Sequence, residues 1–217
     1  MQPAPMDSEP TGSTTSQARP RAVFARHAAS LIVIRDGIAG PEVLMGVRGA
    51  GHRFMPNRLV FPGGAVDPGD GTALAASEPR PVMMGMLGRA ARPRLARGIA
   101  IAAARELEEE TGLTLGSPPH LDALHYLCRA VTPPESSMRF NARFLVVKAT
   151  HVLGTPRDTH ELQDVGYRQI ATVLEAGLML VTREVLLRAQ EWLVKSLEER
   201  ELPSNLPVFK GRQWRRE

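Results

Sequence analysis

Glu106, Glu109 and Glu110 stand at i, i+3 and i+4 in the segment Arg105-Glu106-Leu107-Glu108-Glu109-Glu110-Thr111-Gly112-Leu113. In a helix this spacing sends three carboxylates out from one face as neighbours. Ala100 to Ala104 are strong helix formers, and Gly112 is placed to close the helix in a left-handed conformation. Three like charges near the negative end of a helix dipole repel one another and the dipole, so the pattern predicts a cationic counterpart. A hard divalent ion such as Mg²⁺, which prefers oxygen ligands, fits that demand. The plainer alternative is a solvated acidic face with Arg105 as an ordinary ion-pair partner.

A second stretch decides between these. Phe61-Pro62-Gly63-Gly64 follows a short apolar run, Leu59-Val60-Phe61, that reads as a strand end. Adjacent glycines let the backbone approach a ligand or metal with no Cβ in the way.

Taken together, the two stretches resemble the Nudix box, Gly-x5-Glu-x7-Arg-Glu-U-x-Glu-Glu-x-Gly-U, where U is a bulky aliphatic residue. The box would start at Gly64, and its second half matches at Arg105, Glu106, Leu107, Glu109, Glu110, Gly112 and Leu113. The first half departs twice. Asp70 stands in place of the glutamate, and 34 residues (71 to 104) separate it from Arg105 where the box has seven, so 27 are extra. The departure puts in question the ion pair that relatives make between that acid and the box arginine.

The resemblance implies an α/β fold, an α/β/α sandwich around a mixed β-sheet, and hydrolysis of a diphosphate linkage with Mg²⁺ or Mn²⁺. It implies Glu106, Glu109 and Glu110 as metal ligands with a carbonyl of the Gly63-Gly64 pair, and Arg105 as the residue that orients the glutamates. The general base would be a box glutamate or a carboxylate from a later loop. Glu161, in the polar loop 154–164, is the candidate of the second kind, with Asp164 behind it. Phe61 to Asp70 looks like the Phe-Pro-Gly-Gly-x-x-Asp-x-x-Asp form of coenzyme A diphosphatases. Arg53-Phe54-Met55-Pro56-Asn57 is similar to the approach segment of a branch with a long insertion inside the box. Coenzyme A or an acyl-coenzyme A is therefore the substrate expected first. ADP-ribose, a nucleotide sugar or a damaged nucleotide is the enzymatic alternative, with Phe54, Tyr126, Phe140 and Tyr167 as the aromatics that could stack on a base. A ligand-sensing or RNA-binding module without chemistry is the third reading, disfavoured by an acidic cluster that costs stability.

Several elements must position these groups. Residues 1–21 are rich in Pro, Ser, Thr and Gly and read as a disordered tail. The domain would span 22–202, with 71–97 as the insertion within the box and 203–217 as an irregular, basic C-terminal tail. Ala28–Ile34 and Glu42–Arg48 read as an antiparallel pair, followed by a basic loop whose Arg48, His52, Arg53 and Arg58 could reach an anion docked at Gly63 and Gly64. Residues 122–131, 139–149 and 165–170 read as strands, 171–177 as a short helix. Thr182 would cap a longer helix with Val185, Leu186, Ala189, Trp192, Leu193 and Leu197 on its core stripe. Within the insertion, Pro79 to Arg97 carries five arginines and no acid, with Met83, Met84, Met86 and Leu87. Either it forms a positive flap that clamps substrate, or it is a solvated loop.

Composition bounds the rest. The single cysteine, Cys128, excludes an intrachain disulfide and reads as a small buried hydrophobe. A net charge of +4 favours an anionic partner, and the acidic cluster favours a phosphorylated small molecule over nucleic acid. No apolar run has the length of a membrane span and no signal-peptide core is visible, so a cytoplasmic protein is expected. A homodimer is compatible with the sequence.

Overall fold

A computed structural model describes residues 23–49, 51, 56–202 and 206–217. The predicted tail 1–21 and the loop residues His52 and Arg53 lie outside the described residues.

The first hairpin is β1 (Arg26–Gly37) and β2 (Gly40–Arg48), antiparallel as the sequence predicts. Two short strands follow, β3 (Leu59–Val60) and β4 (Gly63–Ala65). After a single 3₁₀ turn at Asp70–Thr72 come α1 (Pro81–Gly88) and the long α2 (Pro93–Thr111). Then β5 (His125–Val131), β6 (Phe140–Lys148) and β7 (Leu162–Gln169) lead into α3 (Ile170–Glu175), α4 (Leu180–Val194) and α5 (Leu197–Arg200). The chain closes with β8 (Pro207–Lys210) and β9 (Gln213–Arg216).

The sheet order is β3-β2-β1-β6-β5-β8-β9, with β4 paired to β1 and β7 to β2. β1 runs parallel to β6 and β5 parallel to β8, while the other pairs are antiparallel, so the sheet is mixed. Central β1 is apolar on both faces, as a strand covered on both sides must be. Leu31 and Val33 pack with Ile99, Ala103 and Leu107 of α2, whereas Ile32 and Ile34 pack with Val185, Leu186 and Trp192 of α4. Helices on both faces give the α/β/α sandwich expected. None of the described helices is long and apolar enough to cross a membrane.

Three expectations need correction. The insertion is neither a flap nor a solvated loop. Met83, Met86 and Leu87 are almost fully buried, and α1 packs on α2 and β5 rather than over the glycine pair. Two of its arginines are engaged within the protein: Arg97 forks onto Glu78, and Arg80 reaches Glu201 and the His125 ring. Burial of three large apolar side chains outweighs the solvation that the arginines favour. Secondly, residues 207–216 are not an irregular tail but a hairpin that extends the sheet beyond β5, with Val208 and Phe209 buried. Its two-residue loop, Gly211 and Arg212, has positive φ at both positions (61° and 64°), the geometry that matches strand twist. Thirdly, α4 starts before Thr182, which is buried inside its first turn, and Leu197 is exposed on α5.

Candidate functional site

The site is built where the end of α2 meets β4 and the end of β2. Pro93 opens α2 at a position that lacks only an orphan donor, and Gly112 ends it with φ 71° while its N–H bonds Glu108 O. Between these ends Ala96, Ala100, Ala103 and Leu107 bury one face in the core, which fixes the rotation of the helix and aims Glu106 and Glu110 at the glycine pair. The loop before β7 is tied to the helix end, with Arg157 N–H donating to Thr111 O (2.9 Å) and Thr159 Oγ1 to Glu110 O (3.2 Å). The Arg157 side chain lies across Gly112, where a Cβ would come within 2.5 Å of its Nε. This brings a cation to the negative helix end, a contribution that no local sequence signal announces.

The glycine pair is required by space. A Cβ on Gly63 would sit 2.5 Å from Ala29 O and 2.6 Å from Ser30 Cα, both backbone atoms that cannot yield. A Cβ on Gly64 would sit 2.4 Å from Glu106 Oε1. The Gly63 N–H donates to Glu110 Oε2 at 2.7 Å. Arg48, expected as a substrate contact, lies against the site's own groups, with Nη2 at 3.5 Å from Glu110 Oε1 and 3.4 Å from Gly63 O.

Arg105 is the hub. Its Nε and Nη2 donate to Asp70 at 3.2 Å each, Nη1 donates to Glu106 Oε1 (2.8 Å) and Glu109 Oε2 (2.9 Å), and Nη2 also reaches Ala65 O (3.0 Å). The ion pair that the long insertion put in question is therefore made. Asp70 is buried, and its Oδ2 also accepts from Asp67 N–H at 2.7 Å. It can reach Arg105 because the insertion closes on itself: a Cβ at Gly98 would lie 3.1 Å from Gly71 N, so the chain leaves and re-enters at one point.

The electrostatics follow from burial. Burial pushes the Glu106 carboxyl up, against the pull of Arg105. Glu110 is raised to about 8, chiefly by burial, only partly offset by the Gly63 N–H and Arg48 and increased by the charges of Glu106 and Glu161. Burial alone would lower Arg105, but its hydrogen bond to Asp70 and the charge of Glu106 outweigh this and hold it well above its ordinary value.

The structure thus brings together Arg48, Gly63, Gly64, Arg105, Glu106, Glu110 and, through its charge, Glu161. Glu109 turns outward onto Arg105, with its side chain about half exposed. Arg58 is exposed, and its carbonyl accepts from Arg48 N–H. Glu161 holds His160 Nε2 at 3.4 Å. Among the described residues no three carboxylate, imidazole or thiol groups converge on one point as the side chains stand. The donor set nevertheless fits a hard cation: it is all oxygen, and two of its carboxylates are buried at a desolvation cost that the neighbouring arginines do not offset.

No family model matches the sequence, and no curated protein matches it. Solved structures do. A Nudix hydrolase from Alicyclobacillus acidocaldarius is 27% identical, with 75% of this chain and 90% of that one covered at a TM-score of 0.57. The Nudix domain of Shewanella oneidensis NrtR, complexed with ADP ribose, is 16% identical over 82% of this chain and 96% of that one (TM-score 0.54). A MutT protein from Methanosarcina mazei Go1 is 17% identical over 80% and 99% (TM-score 0.51). The last two speak for the fold alone. The fold is that of Nudix hydrolases, which supports a Nudix-type diphosphate hydrolase, and within it the acidic end of α2 stands against a glycine pair.

Proposed function

We propose that this protein hydrolyses the diphosphate of a nucleoside diphosphate linked to another moiety, and that coenzyme A or an acyl-coenzyme A is its substrate. The observation that carries the reaction class is the burial of Glu106 and Glu110 against Gly63 and Gly64, charges that the fold places beside an open backbone without a full counterion. Glu106, Glu109, Glu110 and the carbonyl of Gly64 would hold Mg²⁺, with Mn²⁺ as a substitute. Bound there, the ion supplies charge neutralisation of the phosphates and acidification of a water.

The chain's own groups do the rest. Arg105 fixes the Glu106 and Glu109 carboxylates by charge-assisted hydrogen bonds and is itself locked by Asp70. Arg48 and the Gly63 N–H hold Glu110 at the glycine turn. Glu161, tethered to the site by Gly49 N–H donating to its carbonyl, takes the proton of the attacking water. The missing Cβ atoms let Gly63 lie against Ala29 and Ser30 and let the Glu106 carboxylate close directly onto Gly64.

Coenzyme A is supported by the Phe61 to Asp70 segment and by Arg53-Phe54-Met55-Pro56-Asn57, of which residues 53–55 lie outside the described residues, and part of the first support has another explanation. Asp70 is occupied by Arg105 and by the Asp67 N–H, so this acid of the segment serves the fold. Mass spectrometry of products from a mixture of coenzyme A, acetyl-coenzyme A, ADP-ribose, NADH, a nucleotide sugar and 8-oxo-dGTP, with Mg²⁺, tests both levels. Release of 3′,5′-ADP and a phosphopantetheine is the expected result. Cleavage of another member alone discards coenzyme A and keeps the reaction class, while no cleavage with either metal discards the hydrolase reading.

A further inference from the structure

At the edge of the sheet farthest from Glu110, the C-terminal hairpin, the end of α4 and α5 enclose a cavity of about 270 Å³. Both tryptophans of the chain, Trp192 and Trp214, line it. Each carries a guanidinium on its face: Arg200 stacks 3.9 Å from the Trp192 ring centre and Arg188 4.5 Å from that of Trp214. Arg200 is pinned further by its donation to the carbonyls of Trp192 and Leu193, both at 3.0 Å. Stacked and tethered guanidiniums lose little freedom when they take up an anion.

Three more cations complete the wall. Arg215 and Arg216 have no side-chain hydrogen bond or ion pair among the described residues, and Lys195 has only the charge of Glu199 nearby. The two acids of the wall are already engaged, Glu191 by Arg188 (3.0 Å) and Glu199 by the Ser196 N–H (2.8 Å). The indole Nε1 of Trp192, a residue only 4% exposed, is a buried donor without a partner. A ligand bearing acceptor oxygens and negative charge answers every one of these features. None of them is used by the site at α2.

We propose that this cavity binds the phosphate group of a small phosphorylated compound, at a place separate from the hydrolytic site. Because both tryptophans sit in its wall, intrinsic fluorescence of the full-length protein reads occupancy directly. The titration is made at constant ionic strength with a chelator present, so that the acidic cluster holds no metal and hydrolysis plays no part. Inorganic pyrophosphate and adenosine monophosphate serve as probes. A saturable change with either supports the proposal: pyrophosphate alone assigns recognition to the phosphate, and preference for the nucleotide assigns part of it to the nucleoside. The double variant Arg215→Glu/Arg216→Glu should weaken binding at least tenfold, and so should Lys195→Glu, which leaves the hairpin untouched. Glu110→Gln should not change it. Absence of a saturable signal, or binding that survives both charge reversals, overturns the proposal.

Discussion

Two arginines on the α2 side of the sheet keep very different company. Arg105 on α2 meets Asp70, Glu106 and Glu109, and its charge is more than matched. Arg143 on β6 is 1% exposed and meets only neutral acceptors: Asn141 O (2.9 Å), Ala90 O (2.7 Å) and His27 Nδ1 (2.9 Å). A guanidinium can only donate, so His27 accepts through Nδ1 and stays neutral, its pKa lowered by burial and by Arg143. Burial, reinforced by Arg129, brings Arg143 down to about 10, while Arg105 moves the other way. The difference teaches what each is for. The charge of Arg105 organises acids that must act, whereas Arg143 uses its fork as a clasp, tying the turn between α1 and α2 to the sheet.

The largest effect that could break this comparison lies on the acids. Glu110→Gln keeps size and hydrogen bonding to Gly63 but removes charge, and should lower kcat by two to four orders of magnitude, the range of a lost catalytic carboxylate. Steady-state kinetics with Mg²⁺ would read it, and full turnover would remove Glu110 from the site. Next, Arg105→Met should cost about 10²-fold in kcat, since Glu106, Glu109 and Asp70 lose a common partner and repel one another. A change confined to KM would mean that Arg105 touches substrate rather than positioning the acids.

The Glu110 carboxyl also gives stability a pH dependence. In chelator its folded pKa of about 8 exceeds the ordinary glutamate value of 4.5, so the folded protein binds the extra proton between these values. Stability from this group is therefore present at and below pH about 4.5 and is lost as pH rises towards about 8. Thermal melts in chelator should show Tm falling across that window, and the fall should be smaller in Glu110→Gln. A slope equal in both proteins would show that Glu110 does not titrate there.

How much of this the sequence displays depends on the range of the interaction. The carboxylates of α2 are legible because their i, i+3, i+4 spacing and the closing Gly112 are local facts, and strands β1 and β2 because their apolar runs and the turn between them are local too. The Asp70–Arg105 pair is not, because 34 residues intervene and only the packing of Met83, Met86 and Leu87 closes the loop. The β8–β9 hairpin escapes notice because Arg212 adopts a positive φ that local propensity assigns to glycine or asparagine. Arg143 shares the parity of Leu145 and Val147, which marks the core face, yet its charge argues for solvent until Ala90, from a distant turn, supplies an acceptor.

Arg143 also offers the finest test of the comparison. Arg143→Met keeps much of the apolar stem and removes the fork. Loss of the uncompensated buried charge is itself favourable, but Ala90 O, Asn141 O and His27 Nδ1 are left without their donor. The second effect should win narrowly, for a net destabilisation of about 1–2 kcal/mol, because three acceptors lose one donor group while none gains a replacement. Denaturant melts would measure it as a lower midpoint. Activity at a temperature where the variant is folded should be unchanged in both kcat and KM, since the clasp lies outside the acidic cluster. If KM instead rose with stability intact, Arg143 would be a ligand contact, and the division between an arginine for chemistry and an arginine for architecture would fail.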